Sequence, residues 1–140
     1  MKVVIMRGVP GSGKSTQSKA LGLAIASADE FPGLYVNGQI QFGKLDSAHG
    51  ACFKRALMAL ADGMSVVVDN TNLSVEEVVP YVALARAYQA NVEIVNMDCD
   101  YDTAFGRQTH NVPRAVFDAM CERYEAFVPL PFWGDWLTIR

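Results

Sequence analysis

The chain has 140 residues, of which 51% are hydrophobic and 19% are charged, and its formal net charge is −3. This length fits one domain, residues 1–140, with its own hydrophobic core, and the composition excludes a disordered chain. The acidic balance excludes the basic surface that is typical of proteins that coat nucleic acid without regard to sequence.

Membrane and redox signals point to the cytoplasm. No apolar run in the sequence reaches the length of about 18 residues that a membrane-spanning helix needs. The three cysteines Cys52, Cys99 and Cys121 are scattered and odd in number. Cysteines in this arrangement are typical of reduced core residues. We therefore expect a cytoplasmic protein without membrane contact, and the sequence does not predict an oligomeric state.

A phosphate-binding motif follows the first predicted strand, residues 3–6. The motif is G-x-x-x-x-G-K-S, and with the next residue it comprises Gly8, Val9, Pro10, Gly11, Ser12, Gly13, Lys14, Ser15 and Thr16. Glycines let such a loop wrap around a phosphate, while the lysine reaches the β- and γ-phosphates and the serine hydroxyl suits Mg²⁺. A chance match in a glycine-rich turn is the alternative. The motif predicts binding of ATP with Mg²⁺.

Strands and helices alternate along the rest of the chain. We predict helices at residues 14–21, 45–62, 75–85 and 101–108 and one that begins at Pro113, strands at residues 23–26, 65–68 and 92–95, and a small hairpin around Asn37-Gly38. We make no prediction for the form of residues 129–140. This alternation predicts a parallel sheet covered by helices on both faces, with ligands bound beyond the carboxyl ends of its strands.

Two acidic residues follow predicted strands and are candidates for the chemistry. Asp69 closes the strand Val66-Val67-Val68, where a P-loop protein keeps the carboxylate that supports Mg²⁺ beside Ser15. Asp29 follows the second strand and would accept the proton of an acceptor hydroxyl. The alternatives are a turn-capping role for Asp69 and a helix-capping or solvated role for Asp29. The segment Asn70-Thr71-Asn72 would either position a substrate or shape the turn.

Cations and histidines supply the remaining candidates. A planar cation suits the charge that develops on a phosphoryl group, and Arg107 or Arg114 would supply it, although a solvated surface arginine is the ordinary alternative. His49 lies on an apolar helical stripe, which predicts a buried core histidine. His110 lies in a polar stretch and would touch substrate or phosphate.

Taken together, the motifs resemble the P-loop kinases related to the 5′-kinase domain of phage polynucleotide kinase, a group that includes zeta-toxin-like and AAA-type ATP-binding kinases. The resemblance rests on five segments in order: residues 8–16, 27–31, 48–49, 68–72 and 107–113. It implies a three-layer α/β fold with a four- or five-stranded, mainly parallel sheet and a small helical lid at about residues 101–114. It implies that Asp29 is the general base, Asp69 belongs to the metal site and Arg107 is the lid arginine.

The resemblance implies an enzyme that transfers the γ-phosphoryl group of Mg²⁺-ATP to a hydroxyl group. The expected acceptor is a nucleic acid, through a 5′-OH end or a hydroxymethyl group of a modified pyrimidine, as in related phage kinases that modify DNA. Pro32 stands where polynucleotide kinases carry a second arginine. Pro32 and the acidic balance favour the first alternative, a small-metabolite or nucleoside kinase. The second alternative, a nucleotide-binding switch or ATPase module, leaves Asp29 without a task.

Overall fold

The computed structural model describes residues 1–124 and 126–140. Its main sheet is formed by β1 (Lys2–Arg7), β2 (Ala24–Ala26), β5 (Val66–Asp69), β6 (Asn91–Asn96) and β7 (Leu137–Ile139), and a separate hairpin is formed by β3 (Tyr35–Val36) and β4 (Gln39–Ile40). The five strands lie in the order β2-β5-β1-β6-β7, and each neighbouring pair is parallel. The five-stranded parallel sheet confirms the predicted fold class.

The described residues form five helices: α1 (Lys14–Ala20), α2 (Leu45–Ala61), α3 (Val75–Ala87), α4 (Tyr101–Arg107) and α5 (Arg114–Arg123). Helices α1, α2 and α3 pack on the sheet, whereas α4 and α5 pack on each other in a separate cluster. The start of α3 follows from its sequence, because Ser74 and Glu77 form the reciprocal capping box that their spacing predicts. In the hairpin, Asn37 and Gly38 both have positive φ, 50° and 76°, as a type I′ turn requires.

The two faces of the sheet bury alternate residues of the central strands. Val3, Ile5 and Val66 pack with residues of α2 and α3, whereas Val4 and Met6 pack on the other face, towards the end of α1. Successive side chains of a strand point to opposite faces, so a strand buried on both faces is apolar throughout. This explains the unbroken apolar runs in β1 and β5.

Two expectations about the helices need correction: that His49 is buried, and that the helix that begins at Pro113 continues to Phe127. His49 is exposed on α2, because the buried stripe of that helix runs through Ala48, Cys52 and Ala56. The small alanines let α2 lie close to the sheet. Helix α5 ends at Arg123, so Phe127 packs into the core from the following segment. Residues 137–139 add β7 to the edge of the sheet beside β6.

A buried arginine ties the end of β1 to the segment that follows β5. The Arg7 side chain is 1% exposed, and its guanidinium donates hydrogen bonds to the carbonyls of Asn72 and Leu73 at 2.9 Å each and to Asn96 Oδ1 at 2.7 Å. It lies 5.1 Å from the ring centre of Tyr124. Five N–H donors in a fixed fork suit such a position. Arg7 thereby fixes the edge of the sheet where β1, β5 and β6 end.

The carboxyl ends of three strands converge at this edge, as predicted. The phosphate loop follows β1, Asp69 ends β5 in register with Met6, and a short 3₁₀ turn, Ala28–Glu30, follows β2.

Among the described residues, none of the helices is both long enough and apolar enough to span a bilayer.

Candidate functional site

The phosphate loop has the backbone conformation that its glycines predict. Gly11 and Gly13 have φ values of 81° and 98°, in the left-handed region that favours glycine. Gly13 caps α1, and the Ser12 N–H donates to the Val9 carbonyl at 3.1 Å. The loop therefore turns directly into the N-terminus of a helix, which is the arrangement that binds phosphate through backbone N–H groups and the helix dipole.

Lys14 lies beneath this loop with its ammonium close to two acids. Its side chain is buried, and Nζ donates to the Val9 carbonyl at 3.0 Å. Burial lowers the pKa of Lys14 from 10.5 to about 8, although the negative charges of Asp69 and Asp29 raise it in part. Phosphate oxygens would restore the charged form, since an opposite charge nearby favours ionisation.

The Ser12 hydroxyl tests whether the loop fits a phosphate. Its oxygen is buried and has no hydrogen-bond partner among residues 1–124 and 126–140. A buried polar atom without a partner costs free energy unless a ligand supplies one. A phosphate oxygen next to the loop would do so, and the donors of the loop suit the same group. The loop therefore fits a nucleotide phosphate.

Ser15 and Asp69 are the candidate ligands for Mg²⁺. Asp69 is 7% exposed at the end of β5, and Ser15 lies in the first turn of α1; both line the same cleft. Within the described part of the chain, no group of three or more His, Cys, Asp or Glu side chains is arranged to hold a metal. Mg²⁺ often takes only one or two protein ligands and completes its shell with phosphate and water, so this pair fits it.

The segment after Asp69 shapes the turn. Asn70 Oδ1 accepts a hydrogen bond from the Ala28 N–H at 2.9 Å, and Asn72 Nδ2 donates to the Met6 carbonyl at 2.7 Å. Both amides therefore hold neighbouring strand ends together. Of the two open interpretations for residues 70–72, the geometry favours the turn.

Asp29 lies in the 3₁₀ turn after β2 and lines the same cleft as the phosphate loop. Tyr35 Oη donates to its Oδ1 at 2.7 Å, and His110 Nε2 lies 3.3 Å from its Oδ2. Burial alone would raise the pKa of Asp29, but the hydrogen bonds from His110 and Tyr35 and the charges of His110 and Lys14 outweigh it. The pKa of the carboxyl therefore lies below its ordinary value, and the group is ionised at neutral pH.

Of the two candidate arginines, Arg107 reaches the phosphate loop. Its Nε donates to the Gly11 carbonyl, and its Nη2 lies 3.2 Å from Cys99 Sγ. Arg114 instead bridges Asp102 and Asp118 at 2.9 Å and 3.0 Å, on the outer side of the lid. The role of Arg107 stays a prediction, but its position is the one that a lid arginine needs.

Loop, acids and lid surround one cleft of about 1150 Å³. Its lining includes the phosphate loop and Asp69, and also the aromatic residues Tyr35, Phe42, Phe53 and Tyr81. A cleft of this volume has room for a nucleotide and a second substrate.

Sequence reasoning missed the contacts that Asp29 makes. His110 was expected to touch substrate or phosphate, and Tyr35 was given no role in the chemistry, yet both contact the Asp29 carboxylate. The Asn37-Gly38 turn predicts the hairpin that carries Tyr35, but no local signal places that hairpin beside Asp29. His49, expected in the core, lines the cleft.

Comparison with known proteins agrees with this geometry. A family model described as an AAA domain matches residues 3–127. Human NEDD4-binding protein 2 is 34% identical over 142 residues, and the alignment covers 92% of this chain. The chain spans only 8% of the length of that relative.

Three solved structures share the fold. Chaetomium thermophilum Kti12, determined in complex with ADP-AlF3, is 14% identical, with a TM-score of 0.68 and coverage of 99% of this chain and 88% of that one. A sugar kinase from Janibacter sp. is 18% identical, with a TM-score of 0.68 and coverage of 100% and 84%. The Pnkp1/Rnl/Hen1 RNA repair complex contains a chain that is 21% identical, with a TM-score of 0.63 and coverage of 91% and 40%. Because the family model extends from the first strand through the lid, this chain belongs to the AAA domain family, and it has the fold of P-loop kinases.

Proposed function

We propose that the protein is a Mg²⁺-ATP-dependent kinase that phosphorylates a hydroxyl group of a nucleic acid, at a 5′-OH end or on a hydroxymethyl group of a modified pyrimidine. The observation that carries the proposal is the position of the Asp29 carboxylate, which lines the same cleft as the phosphate loop. A carboxylate near the nucleophile is what transfer to a hydroxyl requires and what simple nucleotide binding does not.

Four charged groups of the cleft have a task in this mechanism: Lys14, Asp29, Asp69 and Arg107. When bound, Mg²⁺-ATP supplies the phosphoryl group and a divalent charge, which Ser15 and Asp69 would hold. Lys14 and Arg107 neutralise charge on the phosphoryl oxygens, and preorganised cations of this kind are worth several kcal/mol in a cleft that excludes water. Asp29 orients the acceptor hydroxyl and accepts its proton.

The aromatic lining of the cleft supports an acceptor that carries a base. Tyr35 and Phe42 line the cleft, and Phe42 is 53% exposed. Stacking of a base on such a ring contributes about 1–3 kcal/mol and tolerates any base. Trp133 is buried in the core against Phe127, so it is not available to stack on a base. The fold is also that of a chain in an RNA repair complex.

A second candidate, a kinase for nucleosides or other small metabolites, is favoured by the distribution of positive charge. Arg55 pairs with Glu30, and Arg114 pairs with two aspartates. Neither arginine lines the cleft, and Lys44 and Lys54 do not line it either. Outside the phosphate loop, the cations that do line the cleft are Lys19, Arg107 and Arg123, and Arg123 pairs with Glu77. A long nucleic-acid strand would therefore meet few unpaired cations there. The sugar kinase with the same fold agrees with this candidate.

Transfer of labelled phosphate from ATP to a panel of acceptors separates the candidates. The panel contains 5′-OH oligonucleotides, oligonucleotides with hydroxymethyl pyrimidines, free nucleosides and simple sugars. We expect an oligonucleotide to be labelled. With about three phosphate contacts, each contributing about 0.7 for a single strand, the logarithm of its affinity should fall against the logarithm of the salt concentration with a slope near −2. Labelling of nucleosides alone, with a slope near zero, would favour the second candidate. ATP hydrolysis with no labelled acceptor would indicate a switch or ATPase module.

A further inference from the structure

Two separate segments hold the two oxygens of the Asp29 carboxylate. Tyr35, on the hairpin, donates to Oδ1 at 2.7 Å, and His110, in the loop after α4, places its Nε2 3.3 Å from Oδ2. The two rings also stack on each other, with centroids 4.8 Å apart and planes 19° from parallel. Each donor therefore fixes the other as well as the carboxylate.

The same two segments meet at a second point. Asn111 Nδ2 donates to the Gly38 carbonyl at 3.2 Å, next to the stacked rings. The loop that carries His110 is closed by Gln108, whose amide donates to the Val112 carbonyl at 3.0 Å and accepts from its N–H at 2.9 Å. His110 is thus presented by a loop with its own internal clamp, and the hairpin and this loop come together beside Asp29.

We propose that Tyr35 and His110 are positioning residues for phosphoryl transfer, which fix the Asp29 carboxylate towards the acceptor hydroxyl when the hairpin and the lid loop meet. The inference rests on the proposed function, in which Asp29 accepts the hydroxyl proton. Each carboxylate oxygen has two lone pairs, so one on each oxygen remains for the acceptor after both donors bind. A fixed carboxylate removes rotational freedom that a short surface turn would otherwise leave, which is the origin of proximity effects.

The neighbouring acid provides a matched control. Glu30 lies in the same 3₁₀ turn, but its carboxylate pairs with Arg55 on α2. It therefore points away from the ring pair. Glu30→Gln changes an acid of the same turn without touching either donor.

The charges around Asp29 and His110 determine the direction in which the pKa of Asp29 moves when a donor is removed. His110 faces Asp29 and Tyr35, and the charges of Lys14 on α1 and Asp69 on β5 also act on its pKa. The Asp29 carboxylate raises the pKa of His110, and burial opposes this. Burial raises the pKa of Asp29, and the contacts with Tyr35 and His110 lower it. If either donor is removed, the pKa of Asp29 therefore rises.

The test uses Tyr35→Phe, His110→Ala and His110→Gln. Tyr35→Phe keeps the ring and removes the donor, while His110→Gln keeps an N–H donor near the position of Nε2. For each folded variant we would measure kcat and KM with the best acceptor, and follow the Asp29 carboxyl by carbon-13 NMR during a pH titration. The NMR readout does not depend on activity. The controls are Tyr88→Phe, which removes a tyrosine hydroxyl at the end of α3, outside the lining of the cleft, and Glu30→Gln.

We expect Tyr35→Phe and His110→Ala to lower kcat about tenfold, with KM for ATP changed less than twofold, because donors that orient the base act after ATP has bound. Both should move the Asp29 titration midpoint and the acid limb of the kcat profile to higher pH, and His110→Gln should restore part of kcat. An unmoved midpoint in both variants would overturn the proposal, as would a moved midpoint with unchanged kcat. If the wild-type protein transfers phosphate to no acceptor, the proposed function is wrong. The NMR midpoints of the variants would still move in that case, so this outcome differs from a failure of the positioning proposal.

Discussion

At the scale of single residues, the buried ammonium of Lys14 is the clearest electrostatic cost in the cleft. Its side chain is 8% exposed and donates to one backbone carbonyl, and burial lowers its pKa to about 8. The buried ammonium lowers the stability of the protein but places a positive charge at the phosphate loop before any ligand binds, as is common at functional sites. Because the effect is on stability, it can be measured without a substrate.

The depressed pKa of Lys14 predicts a pH-dependent stability. Between pH 8 and 10.5 the unfolded chain binds the lysine proton more strongly than the folded protein does, so the free energy of unfolding rises with pH in this window. Below pH 8 the folded protein holds a charged ammonium that its burial disfavours. This lowers the free energy of unfolding by about 3 kcal/mol, from the size of the pKa shift. We therefore expect Lys14→Met to be more stable than the wild type at pH 7, by a margin that narrows by about 3 kcal/mol towards pH 10.5.

Urea unfolding at a series of pH values measures this margin. Lys54→Met, which changes an exposed lysine on α2, is the matched control and should give a margin that does not vary with pH. Parallel pH profiles for the wild type and Lys14→Met would contradict the assigned position of the ammonium.

At the scale of elements, helix α4 lies directly on the phosphate loop. A Cβ at Gly11 would lie 2.0 Å from the Ala104 carbonyl oxygen, and Arg107 donates to the Gly11 carbonyl from the end of the same helix. The glycine thus serves two purposes: its φ of 81° shapes the loop, and its missing side chain admits the lid. Helix α4 therefore rests against the loop that is proposed to hold phosphate.

This contact predicts the result of Gly11→Ala. The left-handed φ costs a residue with a side chain about 1–2 kcal/mol, and the clash with α4 adds to that cost. We expect a lower free energy of unfolding in urea and, in the transfer assay, a larger loss of kcat than of ATP affinity. Gly50→Ala is the control, because Gly50 lies inside α2 with open space around it. This substitution should raise the free energy of unfolding by about 0.5–1 kcal/mol. A Gly11→Ala protein as stable and active as the wild type would show that α4 does not depend on the loop.

At the scale of the whole molecule, the sequence predicts the sheet and its ligand-binding edge because both follow from strong local patterns. The apolar runs of β1 and β5 and the glycine spacing of the loop leave few alternatives. The Tyr35–Asp29–His110 cluster was not predictable, since it joins a hairpin to a distant loop through tertiary packing. Strand β7 was missed because a three-residue strand in a tail with two prolines has almost no periodicity to detect. The helical stripe of α2 was misplaced because apolar and alanine positions compete for the buried face.

The central claim is that Asp29 handles the acceptor hydroxyl while the phosphate loop binds ATP. The most direct measurement compares Asp29→Asn with Glu30→Gln for phosphoryl transfer in a single turnover and for ATP affinity by calorimetry. We predict that Asp29→Asn loses transfer by about 10²-fold or more, as expected for removal of a general base, while its ATP affinity stays within a factor of about two because the phosphate loop, and not Asp29, is proposed to hold ATP. Glu30→Gln should match the wild type in both measurements. Transfer by Asp29→Asn at the wild-type rate would contradict the account.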